Sequence, residues 1–119
     1  MNPPRLQSYE AFWLHYLRQH AAPRTRTIHV GGTLAALVLL AWGLLAGPLW
    51  LVLVAVLVGY GAAWTSHLFI EGNRPATFGH PLWSLASDFR MAWLMLTGHL
   101  QAELERAGVA PDGREPPAA

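Results

Sequence analysis

With 119 residues, the chain is long enough for one domain. Hydrophobic residues make up 53% of it and charged residues only 13%, about half the usual share for a soluble domain, which points to a membrane protein. A net charge of +1 without a long basic run gives no support to nucleic-acid binding, and the lack of cysteine excludes disulfides, thiolate catalysis and zinc–thiolate sites.

Asn2-Pro3-Pro4 reads as an irregular start. Leu6, Tyr9, Phe12, Trp13, Tyr16 and Leu17 then recur at i, i+3, i+4 spacing, which predicts an amphipathic helix opening near Ser8. It should end by Ala22, because the residue before Pro23 is pushed away from helical geometry. Its aromatic stripe suits either the lipid headgroup level or packing against other helices. Arg24 and Arg26 follow as a short cationic collar.

Residues 27–70 contain no Asp, Glu, Lys or Arg, and Gly47-Pro48 divides them. A bilayer core of ~30 Å needs about 20 apolar residues of helix, so the two halves predict a transmembrane hairpin, about 30–46 and 50–70. Gly-Pro suits the tight turn between them. Gly31, Gly32, Gly59 and Gly61 would let the two backbones approach closely. Every arginine lies outside the hairpin, so the positive-inside rule puts both termini in the cytoplasm, as in an integral protein of a bacterial inner membrane. A secretory signal fits poorly, since the first apolar run starts far from Met1 and a second span follows at once.

The hairpin sets a register. His29 and His67 each stand 19 residues from Pro48, so each lies ~28 Å along its helix from the turn. In antiparallel helices the two imidazoles should be level, at one membrane face.

Beyond the hairpin, Glu71-Gly72-Asn73-Arg74-Pro75 is a polar break, and a helix should open near Pro81. Leu82, Leu85, Phe89, Trp93, Leu96 and Leu100 form its apolar stripe. Asp88 and Arg90 make a third span awkward, so it is expected to lie in the interface or under the hairpin, with a polar extension through Glu105. The chain is therefore read as an all-α protein, one membrane domain over residues 1–107 and a disordered tail over 108–119.

Ionisable residues at membrane depth are costly and tend to mark function. His67 and Glu71 are four apart and would share a face of a continuous helix, although Glu71 also reads simply as the polar end of the span. His20 and His29 flank the Pro23 break, and His80 stands before Pro81, so His20, His29, His67, Glu71 and His80 all fall at one membrane face. Imidazoles with a carboxylate and no thiolate suit iron, zinc, copper or nickel. His15 and His99 have no such placement.

The order Tyr16-x3-His20, then Pro23-x-x-Arg26-x-x-His29-x-x-Gly32-Thr33, resembles the opening of a membrane family of 2-hydroxy fatty acid dioxygenases, formerly a domain of unknown function. The blocks Gly59-Tyr60-Gly61-x-x-Trp64-x-x-His67-x-x-x-Glu71-x-Asn73-Arg74-Pro75-Ala76-Thr77-Phe78, Pro81-Leu82-Trp83-Ser84-Leu85 and Asp88-Phe89-Arg90-Met91 carry the resemblance across nearly the whole chain. It implies Fe(II) and O₂ used to shorten a 2-hydroxy fatty acid by one carbon. It also implies that His20, His29 and His67 are iron ligands, with His80 and Glu71 as further candidates. Arg74 or Arg26 would pair with the substrate carboxylate, and the acyl tail would lie along the hairpin in the lipid bilayer. The chain departs from many relatives at Thr25, where they carry Asn, and it is shorter than the eukaryotic enzymes. The alternative from a different class is a metal-binding membrane scaffold or accessory protein without activity. A bis-histidine haem is a third reading, which would have to sit at the membrane edge.

Overall fold

The computed structural model describes residues 8–74 and 79–110, and every regular element among them is helical. Helix α1 spans Tyr9–Arg18. The Ser8 hydroxyl accepts from the Ala11 N–H at 3.1 Å, which satisfies one of the amides a helix start leaves open. Glu10 in the first turn and Arg18 in the last suit the helix dipole. The aromatic stripe is packed inside the protein: Phe12, Trp13, Tyr16 and Leu17 are at most 1% exposed. Such burial stabilises by about 1.5–3 kcal/mol per side chain, which decides between the two fates the stripe allowed.

The chain turns at Gln19 and His20, and α2 opens at Pro23 and runs to Leu45 (Pro23–Leu45). The first long helix thus starts seven residues before the apolar run does. Proline at the first helical position has its φ set for a helix and lacks an amide that would go unpaired there. Arg24 and Arg26 are therefore within α2, not in a collar before it. The Arg26 guanidinium is buried and donates from Nη1 to the carbonyls of His20 and Ala21, both at 2.8 Å, which folds the turn back onto the helix.

Helix α3, Trp50–Ser66, returns against α2 and continues into a π-helical turn, His67–Glu71. Gly72 ends it at φ +69°, a left-handed conformation that favours glycine. The two long helices meet closely at Gly32, where any Cβ would collide with that of Ala62. Of the four glycines expected to allow close approach, Gly32 and Gly59 face the partner helix, while Gly31 and Gly61 face open space. Both long helices are long and apolar enough to cross a membrane. The end of the hairpin near the turn is uncovered by other protein, with Leu45 87% and Leu49 70% exposed.

Helix α4, Pro81–Thr97, opens at the expected proline, but Gly98 at φ +77° breaks it from α5, Leu100–Arg106. The expected polar extension is thus a separate short helix. The stripe of Leu82, Leu85, Phe89, Trp93 and Leu96 faces outward, and α4 instead turns Ser84, Ser87, Met91 and Ala92 inward. Helix α4 thus packs by small and polar residues and leaves its apolar face uncovered by the rest of the described chain.

Arg90 knits α1, α4 and α5. Its guanidinium lies 4.2 Å from the centre of the Trp13 ring and bonds Glu10 and Glu103, each at 3.2 Å, while Arg106 clasps Glu103 at 2.8 Å. Val109, beyond α5, is buried in the same core. The expectations for residues 2–6, 75–78 and 111–119 lie outside the described residues.

Candidate metal centre

Three elements bring three histidines together at the end of the hairpin away from its turn. His20 comes from the turn between α1 and α2, His29 from the second turn of α2, and His67 from the junction of α3 with its π turn. All three are buried, and one ligand nitrogen from each lies within 4.8 Å of the others. The level pairing that counting predicts for His29 and His67 is present, with ring centres 6.1 Å apart. Counting left His20 only near that level; its ring is 4.4 Å from His67 and 4.9 Å from His29.

The hydrogen bonds decide what these rings offer. His20 Nδ1 stands 2.7 Å from the Tyr16 carbonyl oxygen, which can only accept, so Nδ1 carries the proton. His67 Nδ1 stands 2.7 Å from Asn73 Oδ1, and Asn73 Nδ2 donates to the Gln19 carbonyl, which fixes the amide with its oxygen towards His67. Each neutral ring then keeps a lone pair on Nε2, and these two Nε2 atoms face each other at 3.1 Å. Neither can donate to the other. Two lone pairs at that distance inside a buried site form a group that could hold a metal ion. Burial, with His29 and His67 as neighbours, holds the pKa of His20 well below its usual value, so it is neutral at pH 7, the form that binds a metal.

His29 adds a third donor. Its Nε2 lies 3.3 Å from Asp88 Oδ1, and its Nδ1 is buried with no hydrogen-bond partner. A buried polar atom without a partner is costly, and a metal ligand is one way to satisfy it. Asp88 also accepts from the Tyr16 hydroxyl at 2.6 Å. Burial pushes the Asp88 carboxyl up to about 6 against the opposing pull of that bond, which still leaves it mostly ionised at pH 7. Burial, and then the nearby Asp88 charge, raise the Tyr16 phenol well above its ordinary value, so it keeps the proton it donates.

The other expected site residues lie elsewhere. Glu71 Oε1 accepts from the Ala22 N–H at 2.7 Å and so ties the π turn to the start of α2. His80 stands at the residue before α4 without a side-chain capping bond, its ring stacked on Trp83 with centres 5.0 Å apart and 5.3 Å from that of Phe12. Among the described residues the metal-capable group consists of His20, His29 and His67. Arg74 follows Asn73 at the end of the first described segment. Sequence reasoning did not single out Tyr16, Asn73 or Asp88 as parts of the site. Asp88 carried a signal, as a charge on a helix with an apolar stripe, and Asn73 stood in the block that carried the family resemblance.

A cavity of about 190 Å³ leads away from the histidines between α2, α3 and α4. Tyr16, His20, His29, His67 and Asp88 form its polar end, and Ala36, Leu40, Ala55 and Gly59 line the apolar remainder. From His29 to Leu40 it follows α2 for roughly 16 Å at 1.5 Å per residue. Its outer wall includes Tyr60, Trp64, Leu85 and Phe89, all exposed on the faces that lipid would cover. The shape is a slot with a polar end and an apolar length, suited to an amphiphile whose head meets the histidines.

Compared with known proteins, residues 6–100 match the family model described as 2-hydroxy-palmitic acid dioxygenase Mpo1-like. No curated protein and no solved structure matches the chain.

Proposed function

Because the chain belongs to the 2-hydroxy-palmitic acid dioxygenase Mpo1-like family, we propose that it is an Fe(II)-dependent dioxygenase that shortens a 2-hydroxy fatty acid by one carbon at the membrane face. The observation that carries this reading is the pair of unprotonated Nε2 atoms of His20 and His67 at 3.1 Å, with His29 completing the group.

His20, His29 and His67 would hold the iron, and three protein ligands leave room for substrate and O₂. When bound, the iron supplies the redox chemistry that activates O₂. The protein's part is placement. Tyr16 and Asn73 fix the rings of His20 and His67 by their Nδ1 edges. Glu71 works at one remove, anchoring the Ala22 amide and with it the turn that carries His20. The acyl tail lies in the apolar slot, and the carboxylate and 2-hydroxyl sit at the histidine end, so the C1–C2 bond is held where oxygen is delivered. Arg74 is the proposed partner of the substrate carboxylate, since a guanidinium can bond both carboxylate oxygens at once. Arg26 is less suited, because its Nη1 already serves two carbonyls. His80, stacked on Trp83, would have to leave that stack to join the ligands. The absence of arginine from the hairpin supports a topology with both termini on the cytoplasmic side.

Metal analysis of protein purified without a histidine tag tests the reading. Iron near one per chain is the expected result. Zinc at full occupancy, held through exposure to Fe(II) and accompanied by no turnover, would instead favour the scaffold.

A further inference from the structure

Three histidines account for the proposed metal donors, yet the site also holds a half-buried carboxylate, Asp88, that the proposed function leaves without a task. Asp88 sits on α4, the helix packed across α1 and α2 at the polar end of the slot. Its Oδ1 accepts the Tyr16 hydroxyl at 2.6 Å and stands 3.3 Å from His29 Nε2. We infer that Asp88 is a positioning residue of the metal centre, holding His29 by its Nε2 edge so that Nδ1 is left as the metal donor.

The argument is one of proton placement. A neutral imidazole has one N–H and one lone pair. Asp88 Oδ1, which already accepts the Tyr16 hydroxyl, is an acceptor oxygen beside Nε2, so it favours the proton there and bares Nδ1, the nitrogen that is buried without a partner. The other two rings follow the same rule, each with one nitrogen against an oxygen acceptor and the other left bare. Histidines that bind metals usually donate their second N–H in this way, which fixes the ring and makes it a better ligand. Tyr16 links two of the three rings: its carbonyl receives His20, and its hydroxyl holds the carboxylate beside His29. A carboxylate serving only to satisfy the Tyr16 hydroxyl would have no need to stand against a second buried ring.

The inference rests on the histidines binding a metal, and Co(II) titration of the full chain in detergent separates the two ideas. Its visible absorption reports both affinity and ligand geometry. Asp88→Ala should weaken Co(II) binding by about 10- to 100-fold and shift the spectrum. Asp88→Asn, which keeps an acceptor oxygen for both partners, should recover most of that loss. Tyr16→Phe should weaken binding several-fold, since it frees the carboxylate to swing away, and it serves the same purpose if Asp88→Ala fails to fold. Binding within twofold of wild type in these variants, even with a lowered Tm, would mean a purely structural carboxylate and overturn the inference alone. Loss as complete as in His29→Ala would make Asp88 a ligand and overturn it too. Wild-type protein that takes up no Co(II) overturns the metal centre and the inference together.

Discussion

His20 Nε2 and His67 Nε2 face each other across 3.1 Å, and each ring has already spent its Nδ1 proton on an oxygen acceptor. The pair, with His29, forms a group that could hold a metal ion, and the proposed function rests on its doing so. Alanine at His20, His29 or His67 should abolish bound metal, because each substitution removes a proposed ligand. His15→Ala and His99→Ala should leave metal content unchanged. His99 is exposed, with its Nδ1 against the Thr97 hydroxyl at 3.1 Å, and neither it nor His15 is in the three-histidine group. Elemental analysis of the purified variants reads this directly, and full metal in any of the first three would break the site.

Asn73 is the residue that turns His67. Asn73→Ala removes the acceptor for His67 Nδ1 and the tie to the Gln19 carbonyl. Metal affinity should fall about tenfold while some binding persists, since the ring remains. Asn73→Asp restores an acceptor and should bind better than Asn73→Ala. Equal affinity in both variants would mean that His67 is held by packing alone.

Glu71 divides ligand from tether. Its carboxylate is engaged by the Ala22 amide. Glu71→Gln keeps an oxygen for that amide and should retain iron near the wild-type level. Glu71→Ala should cost about 1.5–3 kcal/mol of stability, the usual scale for a hydrogen bond to a charged group. A sharp loss of iron in Glu71→Gln would place its charge in the coordination shell instead.

Glu103 gives the fold a pH dependence apart from the metal. The Arg106 hydrogen bond leads in holding its carboxyl below the usual glutamate value, with Trp13 and the charges of Arg106 and Arg90 adding to it. A carboxylate with a depressed folded pKa stabilises the fold above its unfolded value and loses that contribution as pH falls through the folded value. Wild type should therefore exceed Glu103→Gln in Tm at pH 7, and the gap should close below the ordinary glutamate pKa of about 4.3. A gap that stays constant down to pH 3 would show that the charge of Glu103 contributes nothing and that the difference comes from its uncharged hydrogen bonds.

The hairpin and the level of His29 with His67 could be read from the chain because both depend on length and composition: an uncharged apolar run, a Gly-Pro break and a count along two helices. Other features depend on contacts that periodicity does not encode. Pro23 marked a break, but the same residue starts α2 and so draws Arg26 and His29 into the helix. The stripe of α4 was visible, yet its direction was not, because an apolar face can turn to a core or to lipid with the same spacing. The tether of Glu71 to Ala22 joins residues 49 positions apart, and that of Asp88 to Tyr16 joins residues 72 apart. Spacing of four residues could suggest a shared face for His67 and Glu71, but not that a distant amide would take the carboxylate. The Pro23 break and the family resemblance both pointed to His20, and its hydrogen bond to the Tyr16 carbonyl fixes how its ring is turned.

The most direct measurement is turnover of a 2-hydroxy C16 acid by iron-loaded protein in detergent or vesicles, followed by mass spectrometry. Wild type should yield a product one carbon shorter, dependent on O₂ and abolished in His67→Ala. Undiminished product formation by His67→Ala, or none from wild type carrying one iron per chain, would contradict the account.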